Sequence, residues 1–178
     1  MDDSTIFGVL ETILKDDSFG NKSENKLRAY AAQNPDLVKH HPMLLIYCCA
    51  SNGNVDECIR LIATLSDFSN FKTSRASSDE IYSLIQFVVT ESNKSKPILM
   101  VILESEKSNL KVIKSVPVLF FKACVDRENF DLQQLQKMLF VRGQVQSNDL
   151  SQHDASVNVG TLLVDKYVKP KLNDSLVE

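Results

Sequence analysis

At 178 residues the chain is sized for one domain or one compact repeat array, and 43% apolar against 24% charged residues is the balance of an ordinary globular protein. The net charge is −3, and the densest basic cluster is only Lys166, Lys169 and Lys171, a poor track for a phosphate backbone, so nucleic-acid binding is disfavoured. Five Gly and five Pro are few for an all-β sandwich, which spends them on turns, and no apolar run approaches the ~20 residues that cross a bilayer.

The first residues, Met1-Asp2-Asp3-Ser4-Thr5, are acidic and lack the basic region and apolar core of a signal peptide. The chain therefore reads as intracellular, in the cytoplasm or the nucleus. The four cysteines are then expected as thiols, and the sequons at Asn21, Asn93 and Asn173 as unglycosylated.

Residues 4–14 carry Ile6, Val9, Leu10, Ile13 and Leu14 at helical spacing behind Ser and Thr caps. Residues 16–21, with Gly20, read as a turn. A more polar helix is predicted over 23–32, stopped by Asn34-Pro35, with one extra turn before Pro42. Pro42 opens a helix running to about Ser51, since a first-turn proline sacrifices no intrahelical bond. Gly53 supplies its left-handed end, and Asn54 with Glu57 forms an N-x-x-E variant of a capping box. The next helix places Val55, Cys58, Ile59, Ile62 and Leu65 on one face and ends near Phe68. A serine-rich loop is predicted over 66–78.

Ser77-x-x-Glu80 is a second capping box, and Ile81, Leu84, Ile85, Val88 and Val89 form the stripe behind it. Residues 91–96 read as a turn. Ser95 is the expected cap of the following helix, with Pro97 in its first turn. The runs 98–103 and 116–121 are apolar on all sides and fit either a buried helix or a buried strand; the caps and Pro117 favour helix. Residues 108–115 read as a short helix or loop. After a turn at 126–129, Asp131 starts a helix with Leu132, Leu135, Met138 and Leu139. Residues 143–158 are polar and predicted to be a mobile linker. Leu163, Val164, Tyr167 and Val168 are expected to anchor a last short helix, ended by Pro170 and followed by a flexible tail. The expected organisation is a helical body over 1–142, a polar linker over 143–158, and a short helix with its tail over 159–178.

The fold class that follows is all-α, with antiparallel helical hairpins stacked as a short solenoid or irregular bundle. First helices near residues 43, 80 and 117, with second helices near 54, 95 and 131, recur at roughly 35 to 41 residues, within the range of helical repeats. At Ala50-Ser51-Asn52-Gly53-Asn54-Val55 and Cys58-Ile59-Arg60-Leu61-Ile62 the chain resembles an ankyrin repeat, in which a helix ends in small residues and a glycine turn before an aliphatic helix. Leu44-Leu45-Ile46-Tyr47 stands where that family has its Thr-Pro-Leu-His opening. The resemblance implies a binding scaffold without catalysis.

No motif for chemistry outweighs a structural reading. Cys48, Cys49 and Cys58 lie near His40 and His41, but no C-x-x-C or H-x-x-x-H spacing builds a zinc site. Cys58 stands in a helix first turn, where the dipole favours thiolate, yet on the apolar stripe and beside Asp56 and Glu57, which oppose it. Asp56/Glu57 and Asp2/Asp3 stand at helix starts, where acids serve as caps. There is no glycine-rich phosphate loop, so no cofactor or metal is expected. His40-His41 reads as a solvated loop rather than a pH sensor, and Phe120-Phe121 as core.

The function expected is non-enzymatic: an adaptor, assembly or regulatory subunit that binds another protein. A self-associating structural or accessory protein, such as a small viral factor, is the alternative. The residues expected to meet a partner are Asn52, Asn54, Asp56, Asn93, Lys94, Arg127 and Asn129 at the hairpin turns, with Phe68 and Phe71 as exposed aromatics.

Overall fold

The computed structural model describes residues 2–16, 22–50, 54–69 and 76–169, the side chains of 66–69 and 167 excepted. No strand occurs among them; the run 98–103 is helical, as is 117–121, with Val116 as the N-cap ahead of it. In chain order the helices are α1 (Asp3–Lys15), α2 (Ser23–Gln33), α3 (Pro35–His40), α4 (Pro42–Cys49), α5 (Val55–Ser69), α6 (Ser78–Val89), α7 (Glu91–Lys94), α8 (Ile98–Ser115), α9 (Pro117–Val125), α10 (Leu132–Gln146) and α11 (Gln152–Leu163). A wider π-helical turn, Val164–Val168, continues α11.

Local chemistry explains most starts. Asp2 accepts from the Thr5 N–H at 2.8 Å and caps α1, one turn earlier than the expected Ser and Thr caps. Ser77 and Glu80 make the full reciprocal box of α6, at 3.1 and 2.7 Å. Pro35, Pro42 and Pro117 occupy first turns. Pro97, not Ser95, is the N-cap of α8, and no side chain caps that end. Asn109 breaks the helical dihedrals within α8 (φ −130°, ψ 19°), so the expected 108–115 segment is the far side of a kink.

The chain divides into two units, Met1–Phe130 and Asp131–Glu178. In the first, α4 is the hub and packs on α1, α2, α3, α5 and α8. Met43, Leu44, Leu45 and Ile46 are all fully buried. A helix apolar on every side can be satisfied only by neighbours all round, and each such side chain contributes about 2 kcal/mol by leaving water. The start of α8, by contrast, leaves Ile98, Leu99 and Met100 half-buried. Among the described side chains of α5 the buried ones are Cys58, Leu61, Thr64 and Leu65, while Ile59 and Ile62 are half-buried. The expected stripe is thus rotated toward Leu61, because α5 is held by α2, α3, α4 and α9 together. The predicted stripe of α6 is buried residue for residue. Contact between α5 and α9 skips over α6 and α8, which a strictly nearest-neighbour stack would not make.

The second unit corrects the expectation of a polar linker over 143–158. Helix α10 runs through Gly143 to Gln146, and α11 begins at Gln152. Asn148 takes a left-handed conformation (φ 62°), which an asparagine tolerates. The Asp149 and Leu150 N–H groups then turn back to the Gln144 carbonyl at 2.9 and 3.1 Å. Ser151 caps α11, accepting from the Asp154 N–H at 3.1 Å. The expected anchors Leu163, Val164 and Val168 are exposed rather than buried. The turn at 16–21, the Gly53 turn and the tail from Pro170 include residues outside those described.

Candidate functional site

The hairpin-turn residues divide three ways. Asn52 and Phe71 lie outside the described residues, as does the Phe68 side chain. Asn54 and Asp56 are exposed at the start of α5, where Asn54 Oδ1 accepts from the Glu57 N–H at 3.1 Å. The Glu57 carboxylate accepts from the Ser23 hydroxyl on α2, so its side chain serves packing between helices.

The two downstream turns do come together. Arg127 donates through Nη1 to the carbonyls of Asn93 (2.5 Å) and Lys96 (3.0 Å), tying the turn after α9 to the one before α8. Asn93 is buried, contrary to its expected place on a binding surface; its Nδ2 donates to the Phe87 carbonyl at 2.7 Å. Lys94 pairs with Glu91 at 2.7 Å, and that hydrogen bond raises its pKa. Asn129 donates to Asp126 Oδ1 at 3.1 Å. These residues therefore brace the turns: Asn93 is buried, Lys94 and Arg127 are half-buried, and Asn129 stays exposed.

The thiols are silenced by burial, which pushes Cys48, Cys49 and Cys58 up to about 12 and raises Cys124 as well. The carboxylate of Glu57 adds to the rise at Cys58. At neutral pH none supplies a nucleophile. Among the described residues no three His, Cys, Asp or Glu side chains are placed to hold a metal ion.

The surface that stands out was not foreseen from the sequence. Between α10 and α11 runs an open groove of about 800 Å³. Phe140, Val141 and Leu162 give it an apolar floor, and Gln133, Gln136, Gln144, Asn158 and Thr161 give it an uncharged hydrogen-bonding rim. Lys137 is the one charged lining residue among those described. Phe140 is 67% exposed, the most open of the large apolar side chains among the described residues. A second groove, lined by other faces of both helices, holds Met138, Val145, Val159 and Leu163. Val157 and Val164, two turns apart, are exposed too. One signal for this surface lay in the sequence: Phe140 stands next to the predicted stripe of Leu132, Leu135, Met138 and Leu139 but off it. No family model, curated protein or solved structure matches the chain.

Proposed function

We propose that the protein is a non-enzymatic protein–protein interaction module, and that the α10–α11 groove receives an amphipathic helix of its partner. The observation that carries this reading is the 67% exposure of Phe140 on the floor of that groove. A large aromatic held open to water has an unrealised hydrophobic contribution, and such residues concentrate binding energy at interfaces. An apolar floor with an amide rim suits a helix that lays down an apolar stripe and hydrogen-bonds at its edges. Neutral thiols and acids engaged as caps support the absence of catalysis in this reading.

The test compares the native protein with Phe140→Asp and Leu162→Asp, each first checked for unchanged helicity. Capture of one protein by the native chain, lost by both variants and kept by Glu91→Ala on α7, is the expected outcome. A captured protein that ignores both groove variants would sink the assignment. A concentration-dependent doubling of mass, abolished by Phe140→Asp, would give the groove to a second copy of the chain instead.

A further inference from the structure

The α10–α11 groove has a charge pattern as well as an apolar floor. Gln133, Lys137, Phe140 and Gln144 line it at intervals of three or four residues, so they share one face of α10, with Lys137 one turn from Phe140. Along its whole length α10 carries two cations, Lys137 and Arg142, and no acid, although the chain as a whole is net −3. The groove is likewise lined by no acid among the described residues.

The other charges of this unit are matched within it. Asp131 accepts from Lys166, and Asp165 pairs with Lys169 at 2.6 Å. Asp149 accepts from the Ser147 hydroxyl at 2.5 Å, and Asp154 from the Ser151 hydroxyl at 2.7 Å. Arg142 is engaged as well. Lys137 is the exception: it is exposed, and its ammonium has no ion pair or hydrogen bond among the described residues.

An occupant that covers Phe140 also reaches Lys137, one turn away. Shielding an ammonium from water without giving it an acceptor costs free energy, and a second cation there adds repulsion. A carboxylate removes both penalties. The amides of Gln133, Gln136 and Gln144 can donate to a carboxylate too, so no lining group opposes an acid.

We propose that the helix received by this groove is an acidic amphipathic one, with an apolar anchor over Phe140 and an Asp or Glu over Lys137. This rests on the reading of the groove as a helix receptor and names the chemistry of the helix it takes. Any α-helix rises about 5.4 Å per turn, so the anchor and the acid stand three or four residues apart in the partner. Opposite charge at this position sets which helix is accepted, and the apolar floor supplies the contact area.

The probes are two stapled helical peptides with the same leucine stripe, one carrying Glu and the other Lys one turn from the central leucine. Their binding to the native chain is followed by fluorescence anisotropy at about 0.02 M and about 0.5 M salt. The Glu peptide should bind about fivefold tighter or more at low salt, and the gap should narrow at high salt. At unchanged helicity, Lys137→Gln should erase this preference, Lys137→Glu should invert it, and Phe140→Asp should release both peptides. Equal affinities, or a preference that Lys137→Glu leaves in place, overturn the acidic assignment while the helix receptor stands. Failure of both peptides to bind the native chain removes the receptor itself, and this proposal with it. A doubling of mass that Phe140→Asp abolishes and neither peptide reverses gives the groove to a second copy and also overturns the assignment.

Discussion

The two units use apolar side chains in opposite ways. Around α4, Met43, Leu44, Leu45 and Ile46 have no exposed surface, and Phe120 and Phe121 of α9 are likewise buried with rings 5.8 Å apart. In the second unit the large side chains Phe140, Val157, Leu163, Val164 and Val168 stay open to water, and its buried residues among those described are Leu135, Leu139 and Ala155. The first unit has buried most of its large apolar side chains in folding, with Leu14, Phe87, Val118 and Val125 left open. The second leaves a larger share of its own open to water, which is the area the proposed interface would use.

The strongest way to break this comparison is to truncate one residue from each side. Leu45→Ala should cost about 2–5 kcal/mol of unfolding free energy, through lost transfer energy and a cavity with no slack around it. Phe140→Ala should change stability by less than about 0.5 kcal/mol, as surface substitutions do, while weakening partner capture. Equal losses in urea titrations of the two variants would refute the contrast.

The caps sharpen it at a smaller scale. Ser77→Ala and Ser151→Ala each remove one side-chain acceptor at a helix start, and each should cost about 1 kcal/mol. Amide exchange at Glu80 and Asp154 will show whether the loss is confined to the first turn in both. Smallest is Asn148→Gly, which relieves the left-handed strain at φ 62° and should raise stability by about 0.5 kcal/mol in thermal melts. A decrease there would mean that the Asn148 side chain makes a contact worth more than the strain.

Capping also shows what was legible. Ser77-x-x-Glu80 and Ser151-x-x-Asp154 obey the same chemistry, a hydroxyl accepting the third N–H onward. The first preceded an obvious apolar stripe and located α6 together with its buried residues. The second preceded Gln, His, Ser and Asn, so composition masked a helix of whose few apolar positions only Ala155 is buried. Apart from Phe140 standing off the stripe of α10, the groove was hidden as well, because an exposed apolar stripe has the same periodicity as one that packs inward. Glu106, which is buried and accepts from the Met43 N–H at the start of α4, was equally illegible: an acid in α8 reads as solvent-facing until another helix start is found above it.

What the sequence by itself determined is the helical class, the starts at Pro42, Ser77, Pro117 and Asp131, and the stripe of α6. Those features are set by contacts within one turn, through caps, proline and the 3.6-residue period, and need no knowledge of neighbours. Only the tertiary structure decided that α4 is the hub, that α5 turns Leu61 inward, that Asn93 is buried, and that Glu106 caps Met43 from 63 residues away. Burial is a property of what packs opposite, and the residues opposite come from distant parts of the chain.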